Sequence, residues 1–279
     1  MILSTGSINL RDSHVMAIVN VTPDSFYSGS RVLSRETIMA RVDDAIGSGA
    51  TIIDIGGYSS RPNAEEVTLE QEWERVRMGL EAVRSVDAGV VVSIDSFRAE
   101  VIRRAVEEFG DVIVNDISAG EQDEAMLGVV ARYALPYVAM HMRGTPKTMQ
   151  SLTHYEGGVV SEVVEYFRRR VEEIVAAGVQ PDKIVLDPGF GFAKSVEQNY
   201  KLLRGLGELR KLGYPLLIGV SRKSMIYKPL GITPEESLPG SLALGWEVLR
   251  AGDAILRVHD VGESAQLVRL AKTFRDDRG

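Results

Sequence analysis

The amino-acid sequence predicts an α/β fold of the (β/α)8 TIM-barrel class, with a short N-terminal β-hairpin before the barrel. Three observations carry this prediction. Short β-branched apolar runs alternate with stretches of helical spacing, the apolar runs number eight, and they are apolar throughout rather than at every second residue. Alternation of strand and helix indicates a parallel sheet, eight such units close a barrel, and strands covered on both faces are continuously apolar.

The predicted elements follow one another regularly along the chain. The expected strands cover residues 15–21, 51–55, 90–94, 112–114, 137–140, 183–186, 216–220 and 254–258. Helical spacing is clearest over 69–86, 159–177 and 238–249. Residues 1–14 carry the pattern Ser7-Ile8-Asn9-Leu10, which predicts a hairpin that plugs the bottom of the barrel. We treat residues 1–279 as a single domain, because no linker, low-complexity tract or repeat divides them.

Composition narrows the classes of function. A formal charge of −7 and a pI near 5.3 argue against affinity for nucleic acid, which needs a basic face. Cysteine is absent, and no segment has the ~18 consecutive apolar residues of a membrane span or the pattern of a signal peptide. We therefore expect a cytoplasmic protein with small-molecule partners and neither a nucleic-acid nor a membrane partner. An anionic ligand would need locally concentrated positive charge.

Polar residues follow each predicted strand. In (β/α)8 barrels the loops after the strands build the active site. The chain places there, in strand order, Asn20, Ser59-Ser60-Arg61-Pro62, Asp95, Asn115-Asp116, His141, Asp187, Ser221-Arg222-Lys223-Ser224 and Arg257-Val258-His259-Asp260. Each alone has a structural explanation, since Asp95 could cap the following helix and Asn115 or Asp187 could form a turn. Their joint occurrence at one rim predicts a binding site.

Several of these segments resemble the motifs of dihydropteroate synthases in order and spacing. They are Asn20-Val21-Thr22-Pro23-Asp24-Ser25-Phe26, 59–62, 140–150, 187–192, 221–223 and 257–260. The first motif and 187–192 are shared with other pterin-binding barrels, whereas Ser221-Arg222-Lys223 with Arg257-Val258-His259 is more specific. The resemblance implies a transferase of folate biosynthesis in which p-aminobenzoate displaces pyrophosphate from a pterin pyrophosphate by a carbocation-like path.

The pterin ring is flat, with donors and acceptors at its edge, so its site needs carboxylate and amide groups at the edge and apolar surface at the faces. The resemblance assigns this role to Asp95, Asn115, Ile117, Met140, Asp187, Phe192, Lys223 and Arg257. Asp187 is expected to accept two N–H bonds from the ring. Met140 and Phe192 would cover its faces, although apolar residues at strand ends commonly only pack in the core.

Pyrophosphate requires concentrated positive charge, and the planar fork of arginine bonds two phosphate oxygens at once. The resemblance implies that pyrophosphate is bound by Asn20, Ser60, Arg61, Arg257 and His259. It implies Mg²⁺ as cofactor with Asn20 as its protein ligand, in keeping with the few protein ligands that magnesium takes. The catalytic residues would be Arg61, Lys223, Arg257 and His259. The competing interpretation is that the arginines and Lys223 are ordinary side chains on a solvated surface, with no role in binding.

The resemblance assigns p-aminobenzoate to Ser60, Pro62, Phe190, Lys223 and Ser224, with Ser224 at a helix start, where free N–H groups favour an anion. It also implies a homodimer through barrel helices away from the rim. The chain departs from the common family pattern at Tyr27, Ser28, Ser60, Asn63 and Ala193. The first four departures fall on the two loops that we expect to act as lids, and Ala193 replaces a glycine.

Three competing functions are weighed against this one. A pterin-binding methyltransferase that serves a corrinoid partner shares the Asp/Asn edge but does not need Arg61 and Arg257-Val258-His259. A Schiff-base lyase would need an apolar pocket to lower the pKa of Lys223, and Arg222 and Ser224 are poor evidence for one. A non-catalytic pterin-binding relative would be expected to lack some of the pyrophosphate residues.

Overall fold

The structure is a computed structural model that describes residues 2–3, 6–22, 34–58, 66–145 and 147–276. Within these ranges eight parallel strands form one sheet in which neighbours in the chain are neighbours in space. The strands are β3 (His14–Asn20), β4 (Ile52–Gly56), β5 (Val91–Asp95), β6 (Ile113–Asp116), β7 (Tyr137–Met140), β8 (Ile184–Asp187), β9 (Leu217–Ile218) and β10 (Ile255–Val258). Strand β10 pairs with β3, and a bridge between Leu186 and Leu216 links the other two ends. The predicted barrel class is confirmed, with the sheet curled into a nearly closed barrel.

Helices connect the strands. They are α1 (Arg35–Gly47), α2 (Leu69–Val86), α3 (Ala99–Phe109), α4 (Met126–Arg132), α5 (Val159–Ala176), α6 (Val196–Arg204), α7 (Leu206–Arg210), α8 (Ser224–Leu230), α9 (Leu238–Arg250) and α10 (Val261–Asp276). Helix α2 begins at a capping box, in which Thr68 and Gln71 each bond the backbone N–H of the other. None of the helices in the described ranges is long and apolar enough to cross a membrane.

A short antiparallel strand pair precedes the barrel strands. Strands β1 (Ile2–Leu3) and β2 (Gly6–Ser7) pair antiparallel, and the two residues between them lie outside the described residues. The next residues, Ile8 and Leu10, are buried in an apolar layer inside the barrel, to which each barrel strand contributes one side chain. The strand members are Met16, Ile52, Val91, Ile113, Val138, Val185, Leu217 and Ile255. Ile8 and Leu10 therefore close the bottom of the barrel.

The polar rim lies directly above this apolar layer. Side chains alternate between the two faces of a strand, so a residue two positions after a member of the layer points into the same interior. On five strands that residue is polar: Asp54, Ser93, Asn115, Asp187 and Arg257. The strand register also sets Asn20, Gly56, Asp95 and Asn115 side by side on neighbouring strands. Among the described residues, the polar site residues predicted on these strands thus converge above the layer.

Candidate active site

Arg257 lies at the centre of the rim. Its Nε donates to Oδ2 of Asp54 at 2.7 Å, and its Nη2 donates to Oδ2 of Asp95 at 2.6 Å. Nδ2 of Asn115 lies 3.3 and 3.4 Å from the two carboxylate oxygens of Asp54. The interpretation of Arg257 as an exposed, solvated arginine is wrong, because its side chain is only 19% exposed and both its partners are carboxylates. The network orients the guanidinium by two charge-assisted bonds.

Asp54 is a site residue that the sequence patterns do not predict. It is fully buried in the middle of β4, whose other residues are apolar or glycine. A carboxylate in such a strand is a signal in itself, because a buried charge requires a partner. The sequence does not say which partner, and the structure supplies Arg257 from the far end of the chain. Both oxygens of Asp54 contact other side chains, so we interpret it as a residue that positions Arg257 and Asn115.

Two carboxyl groups at the rim, those of Asp95 and Asp187, have a raised pKa and are harder to ionise than free ones. Burial raises the pKa of Asp95 to about 7, and although the charge of Arg257 lowers it, the nearby Asp54 raises it further. Burial also raises the pKa of Asp187, against the stabilising effects of the Gly189 N–H and the neighbouring cations. The ionised forms of both groups therefore depend on the positive charges around them.

Lys223 follows β9 and is half-buried, so its interpretation as a surface lysine is wrong. Its Nζ lies 4.7 Å from the centre of the Phe192 ring. Burial lowers its pKa to about 8, with Arg257 lowering it further while Asp187 and Asp95 raise it. The charged neighbour Arg222 does not prevent the burial of Lys223, because Arg222 forms an ion pair with Asp260. Two carboxylates therefore favour the ammonium form of Lys223 near neutral pH.

Asp187 ends β8 and is 6% exposed. Its Oδ1 accepts the N–H of Gly189 at 2.8 Å, so the predicted turn is present. Its second carboxylate oxygen has no hydrogen-bond partner among the residues that the structure describes. A role in the turn and a role in ligand binding are therefore compatible for this residue.

At three further strand-end residues, Asp95, Asn115 and Asp116, the hydrogen bonds show whether the side chain stabilises the local backbone or faces the site. Asp95 does not cap α3, because the first helical N–H, that of Ala99, donates to Oδ2 of Asp123 at 2.8 Å. Asp116 does form a turn, since it accepts from Ser118 and Gly120 as well as from the hydroxyl of Tyr137. Asn115, one residue earlier, points into the barrel toward Asp54. The polar pair that ends β6 is thus divided, with Asn115 in the site and Asp116 in the scaffold.

A small apolar cluster lies beside these charges. Its members are Ile117, Met140, Met142, Met149 and Ala193, with Phe97 and Phe192 packed against them. It brings together the three apolar residues predicted for the pterin, namely Ile117, Met140 and Phe192. Met140 is only 3% exposed, whereas Phe192 is half-buried. Phe192 consequently offers more surface to a ligand than Met140 does.

Phe190 lies apart from this cluster. Its side chain is 1% exposed and belongs to the large core outside the barrel. The strand-end loop turns at Gly189, with a φ of +69°, and again at Gly191, with a φ of +83°, so Phe190 and Phe192 pack in different clusters. The ring of Phe190 has no free surface in this arrangement. Its predicted contact with p-aminobenzoate would require the loop to move, and it stays a prediction.

His259 and Ser224 lie at the edge of the rim. His259 is exposed, its Nδ1 lies 3.1 Å from Oγ of Ser221, and its own N–H donates to the same oxygen. Ser224 is the first residue of α8, as predicted, and is half-buried. The other residues predicted for these loops, Tyr27, Ser28, Ser60, Arg61, Pro62 and Asn63, lie outside the described residues.

Asn20 ends β3 beside a glycine. A Cβ at Gly56 would lie 3.1 Å from Oδ1 of Asn20 and 3.6 Å from Cβ of Asp95, so only glycine leaves this corner open. Across the described part of the chain, no three histidine or carboxylate residues group in a way that could hold a metal ion. Asn20 can contribute a single oxygen, which suits a cation that takes its remaining ligands from substrate and water.

Comparisons with known proteins identify a family. A family model described as a pterin binding enzyme matches residues 16–259. A protein named dihydropteroate synthase from Synechocystis sp. is 44% identical over 260 residues, covering 93% of this chain and 89% of that protein. A Yersinia pestis dihydropteroate synthase, solved with a sulfonamide drug complex, has a TM-score of 0.92 at 36% identity and 99% coverage of both chains. A Xanthomonas albilineans dihydropteroate synthase with 4-aminobenzoic acid has a TM-score of 0.87 at 37% identity, covering 95% of this chain and 94% of that one.

Proposed function

Because the chain belongs to the dihydropteroate synthase family of pterin-binding enzymes, we propose that it joins 6-hydroxymethyl-7,8-dihydropterin pyrophosphate to p-aminobenzoate. The products are 7,8-dihydropteroate and pyrophosphate, and the reaction belongs to folate biosynthesis. The observation that carries the proposal is the position of Arg257 at the rim, between two carboxylates and close to Lys223 and Asp187. This arrangement offers an acceptor to the pterin edge and positive charge to a leaving anion.

The pterin is bound at the floor of the rim. The second carboxylate oxygen of Asp187 accepts from the amino-pyrimidine edge, and the ammonium of Lys223 donates to ring acceptors. Phe192 covers one face of the ring, with Met140 and Ile117 behind it. Asp95 and Asn115 complete the edge. Hydrogen bonds to charged groups contribute about 1.5–3 kcal/mol each, so Asp187 is the main anchor.

Catalysis is electrostatic. The bond between the pterin methylene carbon and the pyrophosphate oxygen breaks, its electron pair leaves with the pyrophosphate, and the amine nitrogen forms the new bond and loses a proton. Arg257, Arg61 and His259 stabilise the negative charge on the departing oxygens, and the conjugated ring spreads the positive charge at the carbon. Arg257 is oriented for this task by Asp54 and Asp95.

Magnesium fits the oxygen donors at this rim. Asn20 would hold the ion by its Oδ1, in the corner that Gly56 leaves open. When bound, the ion neutralises charge on the pyrophosphate oxygens. The proposal further includes Ser60, Pro62, Phe190, Lys223 and Ser224 at the p-aminobenzoate site, a single domain, a homodimer and a cytoplasmic location.

The proposal is tested by a pyrophosphate-release assay with the pterin pyrophosphate, with and without p-aminobenzoate. We expect release that depends on the amine and one dihydropteroate formed per pyrophosphate. Asp187→Ala serves as the control for the pterin site and should abolish amine-dependent release. Absence of release in the wild-type protein would contradict the proposal, and methyl transfer from methyl-tetrahydrofolate to a corrinoid would favour a methyltransferase instead.

A further inference from the structure

A second lysine, Lys194, is buried behind the loop that carries Asp187 and Phe192. Lys194 is 5% exposed and lies in the loop between β8 and α6. The described residues give its Nζ three acceptors: the carbonyl oxygens of Gly189 at 3.0 Å and Phe192 at 2.9 Å, and Nδ1 of His141 at 3.0 Å. An ammonium has three N–H donors, so its hydrogen-bonding capacity is filled. None of the chemical steps proposed above uses Lys194.

The protonation of its neighbour agrees with an ammonium at this position. Burial lowers the pKa of His141 well below its usual range, and Lys194 lowers it further. His141 is therefore neutral, and the tautomer with its proton on Nε2 lets Nδ1 accept from the Lys194 ammonium. Burial lowers the pKa of Lys194 to about 7, and the carboxylate of Asp187 opposes that effect. Below about pH 7 Lys194 is therefore an ammonium that donates to three acceptors.

The loop that Lys194 clasps has an unusual backbone. Gly189, Gly191 and Ala193 all adopt positive φ, at +69°, +83° and +49°. A Cβ at Gly189 would lie 2.0 Å from the carbonyl oxygen of His141, so the loop packs closely against the end of β7. A left-handed alanine costs roughly 1–2 kcal/mol. Such a conformation persists when the surrounding contacts impose it, and the bonds of Lys194 span both ends of this stretch.

The same loop forms the ligand-facing surface of the site. It starts at Asp187, whose Oδ1 is held by the N–H of Gly189, and it ends at Phe192 beneath the ammonium of Lys223. A Cβ at Gly191 would lie 3.3 Å from Cδ of Lys223, so the loop backbone also packs against that side chain. We propose that Lys194 is a positioning residue for the pterin site, whose ammonium fixes the loop that carries Asp187 and Phe192 and supports Lys223. This inference rests on the proposed function.

The test uses calorimetry of the full chain with 6-hydroxymethylpterin at pH 6.5, together with the melting temperature. Lys194→Met removes the donors and the charge but keeps a linear apolar side chain. The matched control is Lys183→Met, because Nζ of Lys183 also donates to a backbone carbonyl, that of Ala134, at the opposite end of β8. We expect Lys194→Met to weaken pterin binding at least 10-fold, and Lys183→Met to change it less than 2-fold even where the melting temperature falls.

Wild-type pterin affinity in Lys194→Met would overturn the inference, and so would an equal loss in Lys183→Met. If Lys194→Met does not fold, Lys194→Gln replaces it, with an intermediate loss expected and unchanged affinity overturning the role. A further arm adds ethylammonium to Lys194→Ala, where recovery of affinity by the ammonium but not by ethanol supports a clasp, and no recovery contradicts it. Failure of the wild-type protein to bind the pterin would instead contradict the proposed function and remove the basis of the inference.

Discussion

The two ends of the barrel interior are built from the same strands and differ in composition. At the bottom, each barrel strand contributes an apolar side chain to a layer that Ile8 and Leu10 close. Two residues later, three of the strands carry the charged side chains Asp54, Asp187 and Arg257, and Arg257 is paired with Asp54. The bottom layer needs only shape and apolarity, whereas each charge at the rim needs a specific partner. We therefore expect substitutions at the bottom to affect stability alone, and substitutions at the rim to affect function as well.

The largest expected loss of turnover comes from a substitution at the rim end of β4, compared with one at its bottom end. Asp54→Ala leaves Arg257 without one of its carboxylates, and removal of one partner from a buried pair costs about 3–5 kcal/mol. Because Arg257 also loses its orientation, we expect turnover to fall by about 100-fold, or roughly 2.7 kcal/mol of transition-state stabilisation. The measurements are urea unfolding and steady-state pyrophosphate release.

The control lies two residues earlier on the same strand. Ile52→Val removes one methylene from the bottom layer and should cost about 0.5–1.5 kcal/mol of stability, with turnover unchanged. A comparable loss of turnover in Ile52→Val would show that the two ends of the barrel are not functionally separate. A stable Asp54→Ala protein with normal turnover would show that Asp95 alone orients Arg257.

The next effect makes the same comparison on β8. Asp187→Ala removes the acceptor for the pterin edge, so binding of a pterin fragment should weaken by about 1.5–3 kcal/mol. Val185→Ala, in the bottom layer, should lower the free energy of unfolding by about 2 kcal/mol and leave pterin binding unchanged. Calorimetry with a pterin fragment measures both variants. Wild-type affinity in Asp187→Ala would place the pterin elsewhere.

The bottom of the barrel is easier to predict from the sequence than the rim. The strands begin or end within a few residues of their predicted positions, because continuous β-branched runs flanked by polar residues can form few other structures. Helix α2 has its predicted bounds, because Thr68 and Gln71 define its start locally. Apolar packing tolerates many partners, so predicting it does not require knowing which residues meet.

To predict the rim, in contrast, one must know which residues meet in the folded chain. Asp54 escapes prediction because its partner lies 203 residues away and no local pattern connects them. The packing of Phe190 depends on turns at two glycines, which the sequence allows but does not fix. Lys194 stands out in the sequence only as a lysine next to a predicted strand-end loop, and its three acceptors come from the folded backbone and from His141. Site chemistry follows from residue types, whereas site geometry follows from long-range contacts.

A pH profile tests the charge of the rim. The pKa of Lys223 is lowered from 10.5 to about 8, so its ammonium is present below pH 8 and is lost above it. Since Lys223 is proposed to donate to the pterin, kcat/KM for the pterin substrate should fall as pH rises through about 8, approaching tenfold per pH unit. Lys223→Arg keeps its charge and should remove the decline near pH 8, leaving only the earlier decline that follows from the Lys194 ammonium, whose pKa is about 7.

The bottom layer provides the control for the pH profile. Leu217→Met, a volume-conserving change on β9, has no titrating group and should leave the profile unchanged. A decline near pH 8 that persists unchanged in Lys223→Arg would assign that titration to a group other than Lys223.

The smallest effect concerns backbone strain at the two ends. Ala193 in the rim loop and Ala134 before β7, on the bottom side, share a left-handed backbone with φ of +49° and +51°. Replacing alanine by glycine relieves roughly 1–2 kcal/mol of strain, but the freer unfolded chain costs about 0.5–1 kcal/mol.

The Ala193→Gly variant also loses a fully buried methyl group that packs beside Met140, worth about 0.8 kcal/mol. Ala193→Gly should therefore change stability by less than about 1 kcal/mol, whereas Ala134→Gly, at a half-buried site, should be neutral to slightly stabilising. Urea unfolding measures both. A loss above about 2 kcal/mol in Ala193→Gly alone would mean that this methyl group matters more to the rim than its strain, and that the departure from glycine is itself part of how the site is packed.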